Sequence, residues 1–390
     1  MLDGREVTVL GAGIAGLATA TALAHRGARV RVLEQAREIL EVGAGLQISP
    51  NGMVVLRALG LGGALLQSSV ASEAVELIDG ETGGLVSRID LLAEAERGAF
   101  ALFHRADLIA LLEAAARAAG VEIVLNKKVS DVWLGQHAPR LQVGAEVIDV
   151  PLLIGADGLH SRVRAALNGQ RQPFFTGQVA WRATIPAHGR VEPVAKVYMG
   201  EGRHLVTYPL RGGQLRNIVA VEERRIWAEE SWSLTDDPLG LRIAFESFLP
   251  EVRSWLDQIE RPNLWGLFRH PVAQRWQGQG AVLVGDAAHP TLPFLAQGAN
   301  MALEDAWVLA DALDKLPAET ALPSYQSCRE ARVRRVVEAA NSNARNYHLA
   351  GVRRDIAHTG LRILNRFAPK AIAGRFRWLY NFDVTRQPRS

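Results

Sequence analysis

Residues 7–16 read VTVLGAGIAG and decide the fold of the amino-terminal region. The first four residues are apolar or β-branched, which predicts a buried strand. Gly11, Gly13 and Gly16 follow at once, and an alanine-rich helix is predicted from Ile14 to His25. In this pattern Gly11 permits a tight turn, Gly13 lets a pyrophosphate approach the backbone, and Gly16 lets the helix pack closely on the strand.

A second predicted strand, Ala28 to Leu33, ends at Glu34, where an acid can bind a ribose diol. The amino end of the first helix offers unpaired N–H groups and a partial positive charge to phosphates. A glycine-rich packing turn would explain GxGxxG alone. Because strand, helix, second strand and acid all occur together, the segment predicts a dinucleotide-binding βαβ unit.

The composition sets outer limits. The chain has 390 residues, 48% hydrophobic and 22% charged, which is ordinary for a globular protein and long enough for two joined domains. No signal peptide or membrane-spanning run is evident, so we expect a cytoplasmic protein without integral membrane association. The single Cys328 argues against a disulfide framework and a cysteine-based zinc site, and no metal site is predicted.

The net charge of +3 is unevenly distributed, because residues 345–390 alone carry +8. A basic tail can contact nucleic acid or an anionic membrane. A solvated helical face packed on the domain is the simpler interpretation. No nucleic-acid motif accompanies the charge, and we expect no nucleic-acid partner.

The pattern along the chain predicts an α/β fold, α+β overall. A loop is predicted at Gly43–Asn51. Helices are predicted at Gly52–Gly60, Arg105–Ala119, Leu239–Leu256 and Tyr325–Arg345, with two short helices before Arg386. Strands are predicted at Ala74–Ile78, Leu85–Ile89, Val121–Leu125, Lys128–Trp133, Val150–Ile154, Val179–Ile185, Ala195–Met199, His204–Leu210, Ile218–Glu222 and Ala281–Val284.

These elements divide into a discontinuous cofactor domain, an inserted sheet domain and a tail. Residues 1–72, 101–176 and 266–345 form the predicted Rossmann-like domain. Residues 73–100 and 177–265, rich in alternating strands, form a mainly antiparallel sheet domain. Residues 346–390 form a basic helical segment.

Two further motifs follow buried strands. GADGLHSRVR, Gly155 to Arg164, places Asp157 at a strand end, where it can accept hydrogen bonds from loop amides; Arg164 can stabilise that turn or meet a phosphate. GDAAHPTLPFLAQGANMALEDA, residues 285–306, places Asp286 likewise and opens a helix whose amino end can stabilise an anionic ring. We expect the acids Glu304 and Asp305 to lie in the first turns and complement the helix dipole.

In their order and spacing, the three motifs together resemble the group A FAD-dependent aromatic monooxygenases. The likeness is greatest to the branch that contains salicylate hydroxylase, 3-hydroxybenzoate 6-hydroxylase and 6-hydroxynicotinate 3-monooxygenase. It extends over essentially the whole chain. It implies the fold of the p-hydroxybenzoate hydroxylase type with C-terminal helices, FAD as cofactor, NADH or NADPH as co-substrate, and O2 as oxidant. A homodimer is compatible with it.

The resemblance also implies roles for matching residues. The cofactor-binding residues would be Gly11, Gly13, Ala15, Gly16 and Glu34 at the ADP half, Gln47, Arg105 in HRADL near the ribityl-pyrophosphate, Asp157 for FAD and the nicotinamide cofactor, Asp286 at the ribityl chain, and Gly298, Ala299 and Asn300 at the pyrimidine edge. Pro293 would lie beside the ring where oxygen reacts.

The family reaction, as the resemblance implies, proceeds through a C4a-hydroperoxyflavin that a phenolate attacks. A phenol is a good nucleophile only when deprotonated, so a base is needed, and histidine suits neutral pH. His204 and Tyr208 in RHLVTYP match a His and a Tyr of the substrate pocket in the hydroxybenzoate and hydroxynicotinate branch. Val206 shares their face of the strand. One satisfied His and one Tyr on a half-buried strand is the alternative.

We expect His104, His270 and His289 to have structural roles. Arg182 could meet a substrate carboxylate or could equally be a surface arginine. The predicted function is hydroxylation of a small phenolic or hydroxylated N-heteroaromatic acid, with decarboxylation if attack is at the carboxylated carbon. The alternatives are an epoxidase or tailoring oxygenase for a larger polycyclic substrate, and a non-catalytic dinucleotide-binding protein.

Overall fold

The computed structural model describes residues 2–39, 44–91, 100–135, 138–170, 172–189, 191–224, 235–368, 371 and 374–386, without the side chains of residues 343–346. Parts of the predicted loop at residue 43 and of the predicted sheet domain at 92–99 and 225–234 lie outside the described residues, as do residues 387–390.

The strands in the described residues are numbered β1 to β19 along the chain. They are β1 Glu6–Leu10, β2 Arg29–Leu33, β3 Gly45–Ile48, β4 Ser69–Ser72, β5 Ala74–Asp79, β6 Leu85–Asp90, β7 Phe100–His104, β8 Glu122–Val124, β9 Val129–Trp133, β10 Arg140–Val143, β11 Glu146–Asp149, β12 Leu153–Gly155, β13 Phe174–Pro186, β14 Val194–Gly200, β15 Arg203–Leu210, β16 Leu215–Glu223, β17 Asn263–Arg269, β18 Gln277–Gly278 and β19 Ala281–Leu283.

The α-helices are numbered in the same way. They are α1 Ile14–Ala24, α2 Pro50–Ala58, α3 Gly62–Ser68, α4 Arg105–Ala118, α5 Arg162–Asn168, α6 Pro238–Ala244, α7 Pro250–Asp257, α8 Gly298–Lys315, α9 Ala318–Tyr347, α10 Gly351–Phe367 and the short helix Arg377–Tyr380.

A six-stranded sheet in the order β18-β19-β12-β1-β2-β8 forms the predicted βαβ region. Strands β19, β12, β1, β2 and β8 are parallel, so the segments that follow them meet at one edge of the sheet. The β1 segment is buried except at its first residue, as its apolar sequence predicts. Helices α1 and α8 pack together against this sheet, and the small residues of α1 are almost all buried.

A seven-stranded sheet in the order β17-β13-β16-β15-β14-β5-β6 contains the alternating strands of the middle of the chain. Every neighbouring pair in it is antiparallel except β14 with β5. One face packs on α6 and α7 through a separate core that includes Leu205, Trp181 and Phe245. On the other face, Ala180 and Val221 pack in a small core with Leu292 and Phe294, which follow β19 of the parallel sheet in the chain. This architecture confirms the predicted α/β fold with a mainly antiparallel sheet.

Several element boundaries differ from the prediction. Residues 45–48 of the predicted loop form β3, which pairs with β7. The predicted helix Leu239–Leu256 is two helices, because Pro250 begins α7 as its first residue, where a missing N–H costs nothing. Helix α9 begins at Ala318, not Tyr325. Pro323 favours a boundary in the sequence, but it lies in the second turn and removes only one helical hydrogen bond.

The carboxyl-terminal region also differs, because α10 has 17 residues where a short helix was predicted. It packs against β6 at the edge of the antiparallel sheet. His358 Nδ1 lies 3.5 Å from Asp79 Oδ2, and Arg362 Nε donates to the Leu85 carbonyl at 3.3 Å. This part of the basic segment is therefore packed on the sheet. Among the helices of the described residues, none has the length and apolar character that crossing a membrane requires.

Candidate active site

A cavity of about 1390 Å³ extends from the edge of the parallel sheet to the inner face of the antiparallel sheet. Ordinary small-molecule pockets measure about 300–1,000 Å³, so this cavity has room for a large cofactor and a second ligand. Its wall includes most of the sequence-predicted site residues: Gly11, Gly13, Ala15, Glu34, Gln47, Arg105, Asp157, His204, Tyr208, Asp286, Pro293, Gly298 and Ala299.

The turn between β1 and α1 has the geometry of a phosphate cradle. Gly11 has φ of 103°, and a Cβ there would lie 2.5 Å from the Ala156 carbonyl oxygen. A Cβ on Gly16 would overlap the Gly11 carbonyl, which explains why Gly16 packs inside rather than on the cavity wall. A Cβ on Gly13 would meet no protein atom within 4 Å, so this backbone opens onto the cavity.

Glu34 lies at the end of β2 and ties this turn to the neighbouring loop. Its Oε2 accepts a hydrogen bond from Ala12 N at 2.8 Å, and its Oε1 accepts one from Ala36 N at 2.8 Å. Each carboxylate oxygen keeps a second lone pair for a hydroxyl of a bound group. Glu34 therefore holds the loop in place and also offers a hydrogen-bond acceptor at the cavity wall.

Asp157 follows β12 at the same edge of the parallel sheet. Its Oδ2 accepts from Arg162 N at 2.7 Å and Val163 N at 3.3 Å, at the start of α5. Its Oδ1 is buried and makes no hydrogen bond within the described residues. Burial raises the pKa of this carboxyl. A buried oxygen without a partner favours a donor supplied by a ligand. Arg164 donates to the Pro271 carbonyl and is not among the residues of the cavity wall.

Asp286 follows β19 and opens into the cavity. Gly285 has φ of 60°, and a Cβ there would lie 2.8 Å from Ala15 Cβ, so the turn packs directly on α1. The Asp286 carboxyl is accessible from the cavity, but the protein around the cavity desolvates it and raises its pKa, although the charges of His289 and Arg105 act in the opposite direction. An acid and an arginine thus share the middle of the cavity.

The amino end of α8 completes this half of the cavity, with Gly298 and Ala299 on its wall. The Asn300 side chain is fully buried instead. Its Oδ1 accepts from Ser49 N at 3.0 Å, and its Nδ2 donates to the Gln47 carbonyl at 3.2 Å. The Asn300 side chain therefore joins α8 to β3, and only the backbone of Asn300 belongs to the first turn of α8.

The expectation that Glu304 and Asp305 serve the helix dipole was wrong. The first turn of α8 contains no acid, and both side chains are fully buried. Arg329 Nε donates to Asp305 Oδ1 at 2.8 Å, and Arg329 Nη1 donates to Glu304 Oε2 at 2.5 Å. Burial opposes ionisation, but the arginines hold the pKa of both carboxyls below their usual range, with His289 also acting on Asp305.

His289 and Asp305 fix the loop that carries Asp286. His289 Nε2 lies 2.5 Å from Asp305 Oδ2, and the same oxygen accepts from Gly285 N at 3.0 Å. Both side chains are shielded from solvent. His289 therefore makes a structural contact, as expected. Arg329 is connected to the loop that carries Asp286 through Asp305, which binds both Arg329 and Gly285 N.

The second half of the cavity is built on β15. His204, Val206 and Tyr208 are on its wall, whereas Leu205 packs in the core on the opposite face. This confirms the alternation predicted from the sequence. His204 is 2% exposed and Tyr208 is 4% exposed. Burial raises the pKa of the Tyr208 hydroxyl, so this group remains a hydrogen-bond donor.

His348, which the sequence analysis did not identify, lies against His204. His204 Nδ1 is 2.7 Å from His348 Nε2, and His348 Nδ1 is 2.8 Å from Glu223 Oε1. Burial holds the pKa of His204 well below 6.5, and protonation of His348 would lower it further. Burial also lowers the pKa of His348, while Glu223 opposes that shift. Both rings are therefore neutral at neutral pH, and His204 can accept a proton.

Two further features shape this half of the cavity. Arg182 lies on its wall with its guanidinium 4.9 Å from the Trp265 ring centroid, a cation–π distance. Pro293 begins the short 3-10 helix Pro293–Leu295, which brings the Phe294 ring within 5.8 Å of the His204 ring centroid. Pro293 lines the same cavity as His204.

The residues fit an FAD molecule. The open backbone at Gly13, the Oδ1 of Asp157, which has no partner in the described part of the chain, and the accessible carboxylate of Asp286 follow the neighbouring strands β1, β12 and β19. They offer a phosphate cradle and acceptors for hydroxyl groups. The second half of the cavity then remains for another ligand.

Comparisons with known proteins agree with this fit. Residues 5–340 match a family described as FAD binding domain. The 3-amino-4-hydroxybenzoate 2-monooxygenase of Streptomyces cremeus is 37% identical over 354 residues, which cover 88% of each protein. The 3-hydroxybenzoate 6-hydroxylase of Polaromonas naphthalenivorans (strain CJ2) is 34% identical over 393 residues, which cover 97% of this chain and 96% of the relative.

A solved structure gives the same result for the fold. A salicylate hydroxylase substrate complex has a TM-score of 0.81 and 25% identity, and the match covers 98% of this chain and 97% of the other. The glycine cradle, the acids at the ends of parallel strands and these likenesses over nearly the full length converge. The chain belongs to the family of FAD-dependent aromatic monooxygenases.

Proposed function

We propose that the protein hydroxylates a small phenolic or hydroxylated N-heteroaromatic acid, using FAD, NADH or NADPH, and O2. The observation that carries this proposal is His204, a neutral and buried imidazole on the same cavity wall as Tyr208. The two relatives above are named for hydroxybenzoates, which supports this class of substrate.

Bound FAD would supply the redox chemistry, accepting a hydride from NADH or NADPH and activating O2. The protein would bind its pyrophosphate at the Gly11–Gly13 backbone and the amino end of α1. Asp157 and Asp286 would accept hydrogen bonds from its hydroxyl groups. The amino end of α8, at Gly298, would stabilise negative charge on its ring.

His204 would prepare the substrate by taking the phenolic proton. A phenolate donates electron density to its ring, and the ring carbon then becomes a strong nucleophile towards an electrophilic oxygen. The depressed pKa of His204 keeps the imidazole unprotonated and able to accept. Tyr208 would donate a hydrogen bond to the phenolic oxygen, because its own pKa is raised and it retains its proton.

Arg182 would bind the carboxylate of the substrate. Its guanidinium can donate two parallel hydrogen bonds to a carboxylate while one face stacks on Trp265. The wall between Arg182 and His204 is apolar and includes Val206, Val219 and Val221. Exclusion of water from this wall would strengthen both polar contacts and limit the loss of activated oxygen as hydrogen peroxide.

The test uses the purified holoprotein with NADH or NADPH, O2 and a panel of hydroxybenzoates and hydroxypyridines. NADH loss, hydrogen peroxide and aromatic product are measured together for each compound. We expect at least one hydroxybenzoate to accelerate NADH loss with little peroxide and a stoichiometric hydroxylated product. Identification of that product also distinguishes simple hydroxylation from hydroxylation with loss of CO2.

Two results would contradict the proposal. NADH loss matched by peroxide for every active compound would show that small acids trigger reduction without being oxygenated. A complete lack of stimulation would exclude small phenolic acids and favour a larger polycyclic substrate.

Arg182→Met tests the proposed carboxylate contact separately from the phenol chemistry. We expect KM to rise for hydroxybenzoates and to change little for the corresponding phenols without a carboxylate.

A further inference from the structure

Three side chains from distant parts of the sequence form a continuous chain of hydrogen-bonding groups that begins at the cavity. His204 Nδ1 is 2.7 Å from His348 Nε2, and His348 Nδ1 is 2.8 Å from Glu223 Oε1. The two histidine side chains are about 2% exposed, whereas the Glu223 side chain is 54% exposed. The chain therefore connects a buried ring on the cavity wall with solvent.

The carboxylate sets the direction of these hydrogen bonds. An ionised Glu223 only accepts, so His348 Nδ1 carries a hydrogen and donates. A neutral His348 then has its lone pair on Nε2, which must accept from His204 Nδ1–H. The lone pair of His204 is consequently on Nε2. Gln178 Nε2 lies 3.3 Å from His348 Nδ1. Two donors cannot share one hydrogen bond, so the amide is reversed in this arrangement and its oxygen accepts from His348 Nδ1–H.

We propose that His348 and Glu223 are a proton relay between the His204 base and solvent. The inference rests on the proposed function, since it assigns to His204 the proton of a phenolic ligand. In one transfer the phenolic O–H bond breaks and a bond to His204 Nε2 forms. The His204 Nδ1–H proton passes to His348 Nε2, and the His348 Nδ1–H proton passes to Glu223. The net change is one proton moved from the ligand to an exposed carboxylate, which releases it to water.

The burial of the two rings explains why a relay is needed. An isolated buried base that takes a proton becomes a buried cation, which is costly. Burial lowers the pKa of both His204 and His348. The positive charge of Arg203 lowers the pKa of His348 further. A concerted relay leaves both rings neutral, and its reversal would return a proton to the product oxygen.

The test measures ligand ionisation in the oxidised holoenzyme, without turnover. Enzyme is mixed with 3-hydroxybenzoate or 3-amino-4-hydroxybenzoate, whichever stimulates NADH oxidation more in the panel above. Stopped-flow absorbance follows formation of the bound phenolate, and a pH-indicator dye in weak buffer follows proton release. The variants are Glu223→Gln, which can still accept a hydrogen bond from His348 but cannot take its proton, and His348→Gln.

The matched control is Glu222→Gln, which removes the carboxylate next to Glu223 in the sequence. Glu222 Oε2 accepts from Arg224 Nε at 2.9 Å and takes no part in the His204–His348–Glu223 hydrogen bonds. We expect Glu223→Gln and His348→Gln to slow phenolate formation and proton release at least about tenfold. We expect the Kd for the ligand and the flavin spectrum to stay close to wild type, and small buffer bases to restore the rate in Glu223→Gln. Glu222→Gln should match the wild type.

Phenolate formation at the wild-type rate in both variants would overturn the relay and leave the proposed function standing. The relay would also be overturned if Glu222→Gln slowed phenolate formation to the same extent, because the loss of any nearby negative charge would then explain the result. If no phenol in the panel is bound, ionised or turned over by the wild-type protein, the proposed function fails and the relay fails with it.

Discussion

Arg329 and Asp305 form a buried ion pair, with Arg329 Nε 2.8 Å from Asp305 Oδ1 and neither side chain more than 1% exposed. The pair links α9 to α8. Through Asp305 Oδ2, which accepts from Gly285 N, it also reaches the loop that carries Asp286. The geometry of the candidate flavin site thus depends on an arginine that does not line the cavity.

Arg329→Met tests this dependence. Removal of the Arg329 guanidinium leaves the negative charges of Asp305 and Glu304 buried without one of the cations that balance them. We therefore expect a loss of about 3–5 kcal/mol in the free energy of unfolding. Thermal unfolding of the apoprotein measures it. Arg334→Met is the control, because its pair with Glu330 is largely exposed and should be worth less than about 1 kcal/mol. Equal effects of the two substitutions would contradict this account of the buried pair.

Gly13→Ala separates cofactor binding from folding. A Cβ at Gly13 meets no protein atom within 4 Å, so the apoprotein should lose less than about 1 kcal/mol of stability. The same methyl group would enter the space assigned to the pyrophosphate. We expect FAD affinity, measured by titration of the apoprotein with flavin fluorescence, to fall at least about tenfold, or about 1.4 kcal/mol.

The comparison variant is Gly16→Ala, whose Cβ would overlap the Gly11 carbonyl. Overpacking of this kind typically costs about 1–3 kcal/mol, so here the apoprotein itself should be destabilised. A Gly13→Ala protein that binds FAD as tightly as the wild type would show that the pyrophosphate lies elsewhere.

The buried His204 predicts a pH dependence of stability. Its folded pKa lies well below 6.5, so the unfolded chain binds a proton near pH 6.5 that the folded chain does not. The corresponding stability is present above the unfolded pKa and is lost as the pH falls below it. Between about pH 8 and about pH 5.5 this one group should lower the free energy of unfolding by about 1.4 kcal/mol.

His204→Asn removes that contribution. Urea unfolding at the two pH values should show a smaller decrease for the variant than for the wild type, by about the amount given above. Parallel decreases in the two proteins would mean that His204 titrates normally in the folded state. His104 and His358, whose pKa values are also lowered by burial, are present in both proteins and cancel in the comparison. His348 is hydrogen-bonded to His204, so the difference between the two proteins reports the titration of this pair.

The cofactor half of the site could be predicted from the sequence because its signals are local. Gly11, Glu34, Asp157 and Asp286 each lie within three residues of the end of a strand, and parallel strands bring their carboxyl ends to one edge. The alternation along β15 likewise places His204 and Tyr208 on one face. Each of these inferences needs only the residues next to the one inferred.

The remaining contacts depend on residues far apart in the chain. His348 lies 144 residues after His204, and Glu223 lies 125 residues before His348, so nothing local marks the relay. Glu304 and Asp305 resemble helix-dipole acids in the sequence, but α9 brings Arg329 beside them from 24 and 25 residues away. Asn300 near a glycine-rich helix start looks like a ligand contact, yet its side chain is used to hold β3.

Hydroxylation by the His204→Asn variant tests the central claim most directly. The rate of product formation, with the best hydroxybenzoate of the panel, is measured beside an FAD titration of the same protein. We predict that the hydroxylation rate falls at least about 100-fold, because a general base is lost, while the Kd for FAD changes by less than about threefold. Equal loss of FAD binding and hydroxylation, or hydroxylation at the wild-type rate, would contradict His204 as the base.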